Sequence, residues 1–397
     1  MKDLFFVLLI FVRVIASTSS CDSKTLTFNV VSYGATGNGH TDDTQAFVKA
    51  WKDVCGATRN NAKLLIPNNK IFLLQPLSFK GPCNPATIEV LLEGTVIAPE
   101  SVGVWKFLDE RRKWMEFSDI CGLVIKGGGQ IDGQGAAWWN SVDVSNRPTA
   151  LHFHNCKDVT LSSIHHKNSP RNHISIDTCN SLEISQIHII APEESPNTDG
   201  IDISGSSNIF IHSSTIQTGD DCIAINSGTS LVNISDIFCG PGHGISIGSL
   251  GRNGEDARVE EIYVRNCTFT GTSNGVRVKT WRGGEGYARK IRFEDIKVVG
   301  VKQPVIINQD YSVDMESERS AVKISEVSYR NVKGTCSSDS AVELSCDPNV
   351  GCSEIVMDDI SISKEDGSVA NASCTAAQGT CSHCNPIVPC LSTFKPL

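Results

Sequence analysis

The chain has 397 residues, a net charge of -9 and no basic stripe, which excludes nucleic acid as a partner. All sixteen cysteines lie at or after Cys21, a density that fits an oxidising compartment rather than the cytosol. Thirty-three glycines beside only 7% aromatics suit a β-rich chain with many turns.

Residues 1–20 read as a signal peptide: Met1-Lys2, an apolar run from Leu4 to Val12, then small residues from Ala16 to Ser20. The run is too short to span a bilayer, and no second one follows. Residues 21–397 are therefore expected to form one soluble, monomeric domain with a cysteine-rich C-terminal tail and no membrane anchor. The acceptor sequons at Asn233, Asn266 and Asn371 agree with secretion and glycosylation.

The first structured element expected is a helix over about 42–55, N-capped by Thr41 and started by Asp42 and Asp43. Ala46, Phe47, Ala50, Trp51 and Val54 give it one apolar face, which would cover one end of the molecule. From about residue 150 the pattern changes to β-branched triplets: Ile174-Ser175-Ile176, Ile201-Asp202-Ile203, Ile223-Ala224-Ile225, Ile245-Ser246-Ile247 and Val276-Arg277-Val278. Their starts are 27, 22, 22 and 31 residues apart, with second strands between them such as those opening at Leu182, Ile209, Val232 and Ile262. Several strands per repeat at this period predict an all-β solenoid, a right-handed parallel β-helix. A leucine-rich repeat lacks its template here, and a β-sandwich would need frequent two-residue hairpin turns.

Alternation along a strand turns the triplets' isoleucines and valines inward. Asp202, Ala224, Ser246 and Arg277 then form one outward row, and Ser204, Asn226, Gly248 and Lys279 the next. Two residues before successive triplets stand Asp199, Asp221, His243 and Asn274, with Asp220 beside Asp221. In-register coils would stack these on rungs about 4.8 Å apart. Carboxylates that close raise at least one pKa and keep a proton available, and a protonated acid beside ionised carboxylates is what glycoside hydrolysis needs. Arg277 and Lys279 would suit an acidic substrate. No metal or cofactor is required by such chemistry. Calcium on the same carboxylates, as in a lyase, and a non-catalytic binding protein on the same solenoid both stay open from these residues alone.

Four segments resemble the polygalacturonases, family 28 of the glycoside hydrolases: Asn197-Thr198-Asp199, Gly219-Asp220-Asp221, Gly242-His243-Gly244 continuing to Ser249, and Arg277-Val278-Lys279. Tyr33 to Gly39 and Gly129 to Gly135 extend the likeness, which is nearest the plant enzymes. The resemblance implies inverting hydrolysis of α-1,4-linked galacturonate in cell-wall pectin. It implies Asp220 as proton donor, Asp199 and Asp221 as the groups activating water, and His243 as support for the acid's ionisation state. It also implies that Arg277 and Lys279 bind the substrate carboxylate, that Asn197 helps arrange the site, and that Tyr311 lies near the cleaved sugar. Asn308 stands where the family usually has an aspartate, and Ser312 where a cysteine commonly follows the tyrosine. Endo and exo action are not distinguished. Cys222 and Cys239 flank one coil and would staple it, Cys346 and Cys352 would close a short loop, and the C-x-x-C of the tail reads as part of a disulfide cluster.

Overall fold

The computed structural model describes residues 25–106, 112–311 and 321–393, so the leader, Cys21 and Ser312 lie outside the described residues. The triplets form strands of one all-parallel, eleven-stranded sheet. Seven of these strands carry the argument: β1 (Lys113–Ser118), β2 (Thr149–His154), β3 (Ile174–Asp177), β4 (Ile201–Ser204), β5 (Ile223–Ile225), β6 (Ile245–Leu250) and β7 (Asn274–Thr280). Ile174, Ile201, Ile223, Ile245 and Val276 pair in succession, and all five are fully buried. Like side chains thus stack coil upon coil, filling the interior and leaving alternate residues outside. A second wall runs Leu182, Ile209, Val232, Ile262, Ile291 in the same manner. The fold is a right-handed parallel β-helix. The long step between β6 and β7 is absorbed by a turn at Arg252–Gly254, so the register of the triplets survives it.

Coiling begins earlier than the triplets do. Leu26–Asn29 already pairs in parallel with Asn61–Ile66, which pairs with Thr87–Leu92. Larger inward residues such as Leu64, Phe72, Phe79 and Trp114 fill these first coils beside Ile88 and Val90, so the β-branched triplet does not recur there from coil to coil. Among the described residues no helix is long and apolar enough to cross a membrane.

The helix α1 spans Thr44–Cys55. It starts later than expected, because Thr41 belongs to the strand Asn38–Asp42 and Asp43 occupies the N-cap position. Asp43 makes no side-chain cap. Its carboxylate instead accepts from Thr36 N at 2.6 Å and Gly37 N at 3.0 Å, tying down the preceding loop. The expected apolar face is buried, and Trp51 packs edge-on against Phe79 and Phe117 with ring centroids 5.2 and 5.8 Å away. A disulfide from Cys55 to Cys83 pins the helix end, a pair that spacing alone did not suggest.

Disulfides join Cys222 to Cys239, Cys346 to Cys352, Cys374 to Cys390 and Cys381 to Cys384. Not all cysteines are paired: Cys121, Cys156, Cys179, Cys267 and Cys336 are free thiols, and all but Cys121 are buried. Asn233, Asn266 and Asn371 are all exposed to solvent.

Candidate active site

The turns entering β4, β5 and β6 carry Asp199, Asp220 with Asp221, and His243. Backbone hydrogen bonds between coils fix these turns: Gly200 N donates to Asp221 O at 2.9 Å, and His243 N donates to Asp220 O at 2.7 Å. Glycine is required beside His243. Gly244 has φ +82°, and a Cβ there would lie 2.2 Å from the Gly275 carbonyl oxygen.

The side chains divide into two linked groups. Asp220 Oδ1 contacts His243 Nδ1 at 2.8 Å and accepts from Asp221 N at 2.8 Å, while Asn197 Nδ2 donates to Asp220 Oδ2 at 3.3 Å. Asp221 is held by cations from two coils further along. Lys279 Nζ donates to its Oδ2 at 2.7 Å, and Arg277 Nη2 and Ser246 Oγ donate to its Oδ1 at 2.9 and 2.8 Å. Only 1% of the Asp221 side chain is exposed, with 8% for Lys279 and 12% for Arg277. These are buried pairs, in which each charge depends on the other. The expected ladder is thereby rearranged: His243 serves Asp220 rather than standing on Asp221.

Tyr311 closes one side of the site, its ring centroid 5.2 Å from Lys279 Nζ and 6.0 Å from Arg277 Cζ, with Trp281 edge-on at 5.8 Å. Asn308 sits in the outward row and pairs in register with Lys279. Asp220, Asp221 and His243 each present a ligand atom within 4.8 Å of the others, but both oxygens of Asp221 are already engaged by cations and a hydroxyl.

A buried cluster of carboxylates with one histidine and two cations, on one face of a parallel β-helix, is a glycosidase-like arrangement. The family model for glycosyl hydrolases family 28 matches residues 55–384. The chain belongs to glycosyl hydrolase family 28. It is 46% identical to a probable polygalacturonase of Arabidopsis thaliana over 391 residues, covering 96% of this chain and 83% of that one. With a polygalacturonase of Cryptomeria japonica it shares 39% identity over 383 residues, covering 93% of this chain and 73% of the other. Two solved structures share the fold. An endo-xylogalacturonan hydrolase from Aspergillus tubingensis matches with TM-score 0.75 at 23% identity, over 88% of this chain and 96% of that one. An exopolygalacturonase from Thermotoga maritima matches with TM-score 0.70 at 20% identity, over 85% and 88%.

In this family 28 enzyme the proton expected among stacked carboxylates does not fall on Asp220. Burial pushes Asp199 well above the usual carboxylate range, with Asp202, Asp220 and Asp221 adding to the effect. Burial likewise lifts Asp202 to about 7, against the opposing charge of Arg171. Asp220 is also partly desolvated, but its hydrogen bond to His243 and the charges of His243 and Lys279 outweigh burial and hold it below its ordinary value.

Three further residues build the site without having been assigned a role from sequence. Asp202 was legible as an outward position, yet its raised pKa depends on burial and neighbours; Asn172 donates to its Oδ2 at 2.7 Å. Ser246, from the same row, bridges Asp221 and Arg277, whose Nε donates to it at 3.0 Å. His173 lies just before the Ile174 triplet, fully buried, its backbone N donating to Asp199 O at 2.8 Å. Its Nδ1 is 3.1 Å from the same carbonyl while Ser169 N donates to Nε2, so the ring is the neutral Nδ1–H tautomer. Burial depresses its pKa to about 4.

Proposed function

We propose that this family 28 enzyme hydrolyses the α-1,4 bonds between galacturonate units of polygalacturonate, with inversion, as a secreted protein acting on pectin in the cell wall. The observation that carries the reading is the juxtaposition of an Asp220–His243 pair with a cation-held Asp221 on one outward face of the sheet. Relatives named as polygalacturonases support the substrate.

In the free site the contact with His243 keeps Asp220 ionised. Binding of a polyanionic chain adds negative charge beside Asp220 and raises its proton affinity, so Asp220 takes up a proton from solvent as the chain binds. Asp220 then gives that proton to the glycosidic oxygen as the bond from this oxygen to the anomeric carbon breaks. A water oriented by Asp199 attacks the anomeric carbon from the opposite face and loses its proton to Asp221. Asp221 becomes free for this role through the substrate itself. A galacturonate carboxylate competes for Lys279 and Arg277, the same donors that occupy Asp221 in the free site. Tyr311 offers a ring face against the sugar, and Asn197 fixes the direction of Asp220.

The test is Asp220→Asn, which keeps shape and removes the transferable proton. The expected loss of turnover on polygalacturonate is about 100-fold or more, with an unchanged circular dichroism spectrum. Turnover near that of the parent would exclude Asp220 as the acid.

A further inference from the structure

We infer that His152, His154 and Asp177 form a site for one divalent transition metal of the zinc and copper class. The site is separate from the catalytic carboxylates and does not depend on the hydrolytic reading. It lies on the same outward face, toward the N-terminal end of the solenoid.

His152 and His154 are two residues apart on β2, so both point to one side of the sheet. Asp177 on β3 is the register partner of His154 in the next coil. One ligand atom from each of the three lies within 4.8 Å of the others. His154 Nδ1 already contacts Asp177 Oδ2 at 2.7 Å, and the two imidazole rings are near-parallel with centroids 6.1 Å apart.

The independent observation is the state of His152. It is only 5% exposed, and neither ring nitrogen has a hydrogen-bond partner among the described residues. Burying an imidazole with both nitrogens unsatisfied costs free energy unless its N–H and its lone pair find partners. The obvious protein candidate does not: Glu116 faces His152 from β1 but is engaged by Lys113 Nζ at 3.0 Å and Ser78 Oγ at 3.0 Å.

Two imidazoles and a carboxylate form the donor set that zinc and copper prefer, whereas calcium takes oxygen ligands throughout. Bonds of about 2.0–2.2 Å would draw the three donor atoms to about 3.4 Å apart, a contraction that side-chain torsions can supply. Ser204 Oγ donates to Asp177 Oδ1 at 3.1 Å, the kind of supporting contact that orients a carboxylate ligand and leaves its other oxygen for the metal. Three protein ligands leave a fourth position for water.

The test is calorimetric titration of the full chain with zinc chloride after chelator treatment, beside electron paramagnetic resonance of the copper-loaded protein. The expected result is one saturable equivalent, weakened at least about tenfold in His152→Gln and in Asp177→Asn, and unchanged in His243→Asn. The copper spectrum of the unaltered chain is expected to show two nitrogen ligands, which keeps the proposal testable should a variant misfold. Absence of a stoichiometric site in the parent would overturn it. Loss of binding in His243→Asn with retention in His152→Gln would overturn it equally, by placing the ion at the catalytic cluster.

Discussion

Asp202 is half-buried with Oδ1 enclosed and unpartnered among the described residues, and its pKa is lifted to about 7 from an ordinary 3.8. Between those values the folded chain retains a proton that the unfolded chain has released. Its contribution to stability is therefore complete at low pH and lost as pH rises through about 7. Asp202→Asn keeps a neutral group at all pH values. Its melting temperature relative to the parent is expected to climb as pH is raised from about 4 to about 8. A difference that stays flat across that range would contradict the assignment. The same residue marks the boundary of what sequence could say. Periodicity put Asp202 on the outward face, but its protonation follows from burial and from the charges of Asp221 and Asp220, against Arg171 and Asn172, and only the folded coils bring these together. Asp220 illustrates the point in reverse: stacking of carboxylates suggests a raised pKa, and a single histidine in hydrogen-bond contact reverses it.

At the scale of elements, β7 reaches back across two coils to hold Asp221 through Arg277 and Lys279. Removing one partner of so buried a pair leaves an uncompensated charge. Lys279→Met is expected to cost about 3 kcal/mol in urea unfolding, and to cost much less once Asp221 has been replaced by Asn. Additive losses in the double-mutant cycle would show that the pair is not energetically linked. The strands themselves were readable because β-branched triplets recur at intervals that keep register. Helix α1 was readable by its apolar face, since Phe47, Trp51 and Val54 must bury together. Its start was not, because Asp43 bonds backward to Thr36 and Gly37, contacts across a loop that helix-capping rules do not contain.

For the molecule as a whole, the β-helix explains how residues 80 positions apart, Asp199 to Lys279, come to lie on one face. Triplets recurring every 22 to 31 residues made that face visible in the sequence from Ile174 onward. The first coils were hidden because Leu, Phe and Trp interrupt the isoleucine and valine pattern of their interior. Within family 28, the central claim is that this face breaks polygalacturonate by acid–base hydrolysis using its own carboxylates. The direct measurement is digestion of polygalacturonate by the purified chain in a calcium chelator, following reducing ends and ultraviolet absorbance together. Reducing ends that accumulate with no rise in absorbance are the expected result. An ultraviolet-absorbing unsaturated product, or activity that appears only when calcium is restored, would mean elimination and would contradict the account.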